Sequence, residues 1–131
     1  MTASPTFSPF VAPFIDDQNF SLPVYDRIHR EIAVNEVVLI EGDGNYALFY
    51  FSSGKKLMVS KTLKEYETLL GQHSFVRIHK SYLINLHHLK EYDNRHEEVA
   101  VLKNGFKVEV SRRRKKEFQV IAESFLRRTA S

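Results

Sequence analysis

Residues 75–85 read Phe-Val-Arg-Ile-His-Lys-Ser-Tyr-Leu-Ile-Asn, and residues 111–116 read Ser-Arg-Arg-Arg-Lys-Lys. The first run interleaves polar side chains that can bond nucleic acid with apolar ones that belong in a core. Arg77 and Lys80 can donate to guanine O6 and N7 in a major groove. His79, Ser81 and Tyr82 can bond a phosphate or a base edge. On a strand, Arg77 and His79 share one face and Val76 and Ile78 the other, so the apolar pair fixes the polar pair outward. Lys80, Ser81 and Tyr82 then lead through a turn, and Leu83 and Ile84 bury again.

The second run puts five consecutive cations, Arg112, Arg113, Arg114, Lys115 and Lys116, where the last helix should begin, with Ser111 as its cap. A capping box would want Glu or Gln at position 114, and Arg114 stands there instead. Cations at a helix N-terminus oppose its dipole by roughly a few tenths of a kcal/mol each. A polyanionic partner relieves both that cost and their mutual repulsion. The plain alternatives are a surface strand with satisfied polar groups and a solvated basic face. The two runs together favour docking on DNA.

A third candidate is Glu41-Gly-Asp-Gly-Asn-Tyr46. It lacks the spacing of a P-loop or a dinucleotide fingerprint and reads as a plain turn. Asn45 at its exit could read adenine if the loop enters a groove.

The elements that would position these residues are short. Val37-Val-Leu-Ile40 and Tyr46-Ala-Leu-Phe-Tyr-Phe51 flank the Gly42–Asn45 turn, and Ser52-Ser-Gly-Lys55 closes a hairpin onto Lys56-Leu-Met-Val59. Leu63, Tyr66, Leu69 and Leu70 recur at helical spacing, with Ser60 as the cap and Gly71 as the stop. Strands resume at Phe75, Leu89 and Glu98, and Asn104-Gly105 is a hairpin signal before the alternating Lys107-Val-Glu-Val110. Phe118, Ile121, Ala122 and Phe125 form the buried stripe of a final helix. The fold class is therefore mainly β with two short helices.

Residues 1–24 read as a Pro- and Phe-rich tail, residues 25–127 as one domain and residues 128–131 as a C-terminal tail. Pro5, Pro9, Pro13 and Pro23 block a continuous helix, while Phe7, Phe10, Phe14 and Phe20 could pack on the domain or on a regulatory protein. At 131 residues the chain suits one modest core. Net charge is +3, unevenly spread: residues 1–26 hold three Asp and no Lys or Arg, leaving 19 cations against 13 acids, or +6, in the remainder. A basic domain is compatible with a polyanionic partner. The absence of cysteine excludes a disulfide framework and thiolate metal sites and suits the cytoplasm. No apolar run spans a bilayer and no signal peptide is visible, so no membrane insertion is expected.

Enzyme readings fare poorly. There is no cysteine nucleophile and no Gly-x-Ser-x-Gly elbow. His87 and His88 are adjacent and would point apart on a strand, and no His pair sits at ligand spacing on a predicted helix. No metal, cofactor or catalytic residue is expected.

The order Ile-Glu-x-x-x-Asn-Tyr at 40–46, Ser-Lys-x-Leu at 60–63, Phe-Val-Arg-Ile-His-Lys-Ser-Tyr-Leu-Ile-Asn at 75–85 and Val-Ser-Arg at 110–112 closely resembles the LytTR DNA-binding domain of bacterial transcription regulators. The resemblance covers about residues 25–126. It implies an elongated β fold of about ten short strands in three antiparallel sheets. It also implies DNA contacts made by loops in successive major grooves, over paired imperfect repeats of a bent duplex. Carried over by motif, the contacting positions are Asn45 or Tyr46, His79 and Lys80, and Arg112 to Arg114. With the residues chosen on charge and pattern, the candidate DNA-binding set is Asn45, Tyr46, Arg77, His79, Lys80, Ser81, Arg112, Arg113, Arg114 and Lys115.

Two departures stand out. The family often has Arg or Asn where Lys80 stands, and Lys lacks the guanidinium fork. Most members carry a receiver domain with a phosphorylated Asp, for which residues 1–24 are too short; the chain is expected to act as a stand-alone module. The expected function is that of a sequence-specific regulator of double-stranded DNA, pairing as a homodimer on adjacent repeats. The alternative is a protein-interaction module of the same fold that has lost specific DNA binding. RNA stacking on Tyr46, Tyr50 and Phe51 ranks last, because strand alternation buries at least half of those rings.

Overall fold

The computed structural model describes residues 21–24, 30–93 and 98–130. Among them, ten short strands form three antiparallel sheets. β1 (Ser21–Val24) pairs with β2 (Arg30–Ala33). A 3-10 turn at Val34–Glu36 leads into the meander β3 (Val37–Asp43), β4 (Tyr46–Phe51) and β5 (Lys56–Val59). After α1 (Leu63–Leu70), β6 (Phe75–His79) and β7 (Tyr82–Asn85) complete a five-stranded sheet in the order β5-β4-β3-β7-β6. A second 3-10 turn at Leu86–His88 precedes β8 (Leu89–Asp93), β9 (Val99–Leu102) and β10 (Lys107–Glu109), which form the third sheet. α2 (Lys115–Ala130) ends the described chain.

β1 lies within the segment assigned by sequence to the N-terminal tail, and α2 runs through residues 128–130. The Phe-rich stretch of that tail lies outside the described residues.

The five-stranded sheet is buried on both faces. Ile40, Phe49, Leu63, Tyr66, Leu70, Phe75 and Leu83 form one core, covered by α1. Val38, Leu39, Ile78, Ile84, Leu102, Val108, Phe118 and Phe125 form the other, covered by the third sheet and α2. This explains the unbroken apolar run Val37-Val-Leu-Ile40. The register shifts between Val37 and Leu39, so Val38 and Leu39 both enter the second core. Phe118 is 1% exposed and stacks edge-on against Tyr92 at 5.1 Å. Truncating such a ring costs about 3–5 kcal/mol.

Both helices begin later than the sequence suggests. The cap of α1 is Thr62, not Ser60. Its Oγ1 accepts from Glu65 N–H at 3.3 Å, and Glu65 Oε2 accepts from Thr62 N–H at 3.1 Å, a complete capping box. Two orphan donors are satisfied there, which Ser60 cannot match. These bonds hold the Glu65 carboxyl below its usual range, the Thr62 backbone bond contributing most. α2 starts at Lys115 rather than near Arg112. Ser111 N–H donates to Ile78 O at 2.8 Å, keeping the chain along the end of β6, and Arg114 N–H closes a turn on Ser111 O at 3.0 Å. Arg112, Arg113 and Arg114 therefore precede the helix, and the dipole penalty falls on Lys115 and Lys116 alone.

Candidate nucleic-acid interface

Three loop segments meet along one edge of the five-stranded sheet. Gly42 N–H donates to Ser81 O at 2.9 Å, which ties the β3–β4 hairpin to the β6–β7 turn. The Ser111–Ile78 bond ties the basic run to the other side of the same turn. The sequence-distant candidates thus become neighbours through backbone hydrogen bonds.

The first segment is a tight hairpin. Asp43 and Tyr46 are paired, and Gly44 takes φ +62°, a conformation that β-carbon sterics disfavour for other residues. Asn45 is exposed and Tyr46 is 51% exposed. Gly42 sits where an added Cβ would lie 2.8 Å from Leu63 Cβ, so α1 packs directly against the hairpin base.

The second segment departs from the expected alternation. The register shifts between Arg77 and His79: Arg77 pairs with Leu83, and His79 pairs with Tyr82. This bulge sends the two side chains to opposite faces, correcting the expectation that they share one. Arg77 reaches α1, where its Nη1 donates to Glu67 Oε1 at 2.9 Å. Its Nε donates to His79 O at 3.0 Å and its Nη2 to Lys80 O at 2.5 Å. With every branch of its guanidinium engaged, Arg77 is a brace for the turn rather than a free base reader.

His79 lies on the other face, with its ring 5.2 Å from that of Tyr82. Its Nδ1 accepts from Ser81 N–H at 3.1 Å, so in the neutral ring the proton sits on Nε2, which lies 3.8 Å from Glu109 Oε1. Lys80 is exposed at the tip, and Ser81 is half-buried beside it. Asn85, which closes the motif, is 1% exposed. Its Nδ2 donates to Val37 O at 2.9 Å, and its Oδ1 accepts from His87 N–H at 3.0 Å. It is a structural clip between β7 and the start of β3.

In the third segment Arg112 and Arg113 are exposed and Arg114 is half-buried. Lys115 is committed elsewhere, donating to Glu98 Oε1 at 2.6 Å. Glu109, which faces His79, was not among the sequence candidates. Its alternation with Val108 and Val110 marked it as outward-facing, but nothing in the sequence tied it to His79.

The remaining histidines with described partners are structural. His88 Nε2 lies 2.8 Å from Asn35 O, and His87 stacks edge-on against Phe125 at 5.1 Å. Among the described residues there is no group of three or more His, Asp or Glu able to hold a metal ion. None of the described helices is long and apolar enough to cross a membrane.

Residues 26–122 match the family model of the LytTr DNA-binding domain. The chain belongs to that family. The LytTr match takes in all three converging segments. Over 105 residues the chain is 30% identical to the transcriptional regulatory protein LytR of Staphylococcus aureus, in strain N315 and likewise in strain USA300. That alignment covers 79% of this chain and 42% of those relatives, so the chain spans less than half their length. A solved LytTr DNA-binding domain from Bacillus cereus superposes with a TM-score of 0.65 at 22% identity, covering 77% of this chain and 94% of that one. That likeness is one of fold.

Proposed function

We propose that this LytTr domain binds double-stranded DNA in a sequence-specific manner and regulates transcription, without enzymatic activity, in the cytoplasm. The observation that carries this reading is the convergence of three polar loop segments on one edge, joined by the Gly42–Ser81 and Ser111–Ile78 hydrogen bonds. Loops that project from a sheet buried on both faces can enter a groove without disturbing the core.

In this reading Asn45, Tyr46, His79, Lys80 and Ser81 face base edges, with Lys80 at the tip. Arg112, Arg113 and Arg114 take phosphates and set the register. Arg77 and Lys115 hold the segments in place. Two copies pair on adjacent repeats, and a regulatory protein engages the N-terminal segment.

The test is fluorescence anisotropy with the duplex upstream of the protein's own gene and with a scrambled duplex, each titrated across salt. Affinity should fall with log salt by about 0.9 per phosphate neutralised. Binding to the native duplex that survives near-physiological salt, while the scrambled duplex is lost, supports specific reading. Equal and salt-labile binding to every duplex, including those selected from a random pool, would leave a protein-interaction module instead.

A further inference from the structure

Between the five-stranded sheet and the β9–β10 hairpin lies an open cleft of about 440 Å³. The rings of Tyr50, Tyr82 and Phe106 line it, together with the carboxylates of Glu41 and Glu109. Tyr50 and Phe106 meet edge-to-face at 5.7 Å, so the wall is a fixed aromatic corner. Tyr50 Oη donates to Glu41 Oε1 at 2.8 Å, which orients the carboxylate. Burial first, then this bond to Glu41, push the phenol up to about 12, so it stays a neutral donor.

The Tyr50 ring already engages a cation, from a residue that is not part of the cleft lining. Lys56 Nζ sits over the Tyr50 ring, 5.2 Å from its centroid. Among the described residues Lys107 is the one basic side chain lining the cleft, and it is exposed. Phosphates, which suit the neighbouring arginines, are repelled by the two carboxylates. Ring faces and carboxylates both attract an ammonium group.

We propose that this cleft binds a small organic cation: a free amine whose ammonium lies against Glu41 and Glu109 and whose carbon frame lies on Tyr50, Tyr82 and Phe106. Tyr82 and Glu109 both also face His79, so an amine in the cleft adjoins the loop surface described above. The site does not depend on DNA, so its test stands apart from the function proposed for that surface.

The experiment is a ¹H–¹⁵N correlation titration of the full chain without DNA. The probes are phenethylamine, its neutral counterpart 2-phenylethanol, the anion phenylacetate and a capped lysine tripeptide. Phenethylamine should shift the amides of Tyr82, Phe106, Val108 and Glu109 saturably in the millimolar range, about tenfold more tightly than the alcohol. Phenylacetate should leave them unmoved. Glu109→Gln, at an exposed side chain, should weaken amine binding with the rest of the spectrum unchanged, and Glu41→Gln should do so further. Equal shifts from the alcohol or the acid, no shifts from the amine, or full binding by Glu109→Gln and Glu41→Gln would overturn the proposal. Tighter binding of the tripeptide would overturn a free amine in favour of a protein lysine.

Discussion

Arg77 and Glu67 form an ion pair across 2.9 Å, joining the central motif to α1, with the Arg77 side chain 15% exposed. The same guanidinium donates to His79 O and Lys80 O, so one side chain fixes both the helix and the turn that carries the candidate base readers. Arg77→Ala should destabilise the fold by about 1–3 kcal/mol, because it leaves two turn carbonyls and a carboxylate without their donor. Arg77→Lys keeps the charge but cannot span three acceptors, so it should recover only part of the loss. Urea denaturation midpoints at constant slope measure both. Wild-type stability in Arg77→Ala would show that the brace is dispensable.

Gly42 lies at the base of the first loop, against Leu63. Its substitution by Ala would place a methyl group 2.8 Å from Leu63 Cβ, backbone-proximal and unable to swing away. We expect Gly42→Ala to cost about 1–3 kcal/mol. Gly42→Ala combined with Leu63→Ala should cost close to the sum of the two single changes, because the Cβ that makes the closest contact is retained in alanine. Thermal melts of the three variants decide this.

Phosphate-binding and base-reading residues should behave differently toward DNA. Arg113→Ala should weaken binding to specific and random duplexes alike and flatten the salt slope by about one phosphate contact. Asn45→Ala and Lys80→Ala should cost about 1–3 kcal/mol on the preferred site and less on random DNA. Anisotropy on both duplexes at two salt concentrations separates the two patterns. Equal losses for all three variants on both duplexes would contradict the division of labour.

Much of the fold was legible because it rests on local chemistry. The Asn104-Gly105 hairpin forms as its turn residues require, with Asn104 Oδ1 accepting from Phe106 N–H at 3.0 Å. The stripe of Phe118, Ala122 and Phe125 enters the core as its spacing requires. One misreading was a matter of register. A bulge is a two-against-one pairing with a partner strand, so residues 75–79 alone cannot show that Arg77 and His79 part company. The cap of α1 is a different case: Thr62 with Glu65 three residues on spells a capping box in the sequence, whereas Ser60 has Leu63 at that position, so this cap was legible and was missed. The aromatic cleft was invisible because Tyr50, Tyr82 and Phe106 come from three different strands or turns.

Two phenols, Tyr66 buried and Tyr50 partly buried, predict alkaline sensitivity. Tyr50 and Tyr66 are both raised from 10.0 to about 12, in each case chiefly by burial. The folded state therefore holds their protons more tightly than the unfolded chain. The associated stability is present in full below the unfolded value near 10.0 and is lost as pH rises through about 12. Tyr66 Oη is also buried and finds no hydrogen-bond partner among the described residues. Tyr66→Phe should therefore be neutral or stabilising, by up to about 1 kcal/mol at neutral pH, and should lose stability less steeply in alkali. Denaturation midpoints at pH 7 and at alkaline pH test both statements, and a clear loss at pH 7 would refute the orphaned hydroxyl.

The central claim is that residues far apart in sequence form one DNA-reading edge. The most direct measurement is a ¹H–¹⁵N correlation map of the full chain with and without a duplex selected from a random pool. The account predicts that amides of residues 43–46, 79–81 and 111–114 shift together at one affinity, while α1 and β5 stay still. Shifts confined to one of these segments, or centred on another face, would contradict it.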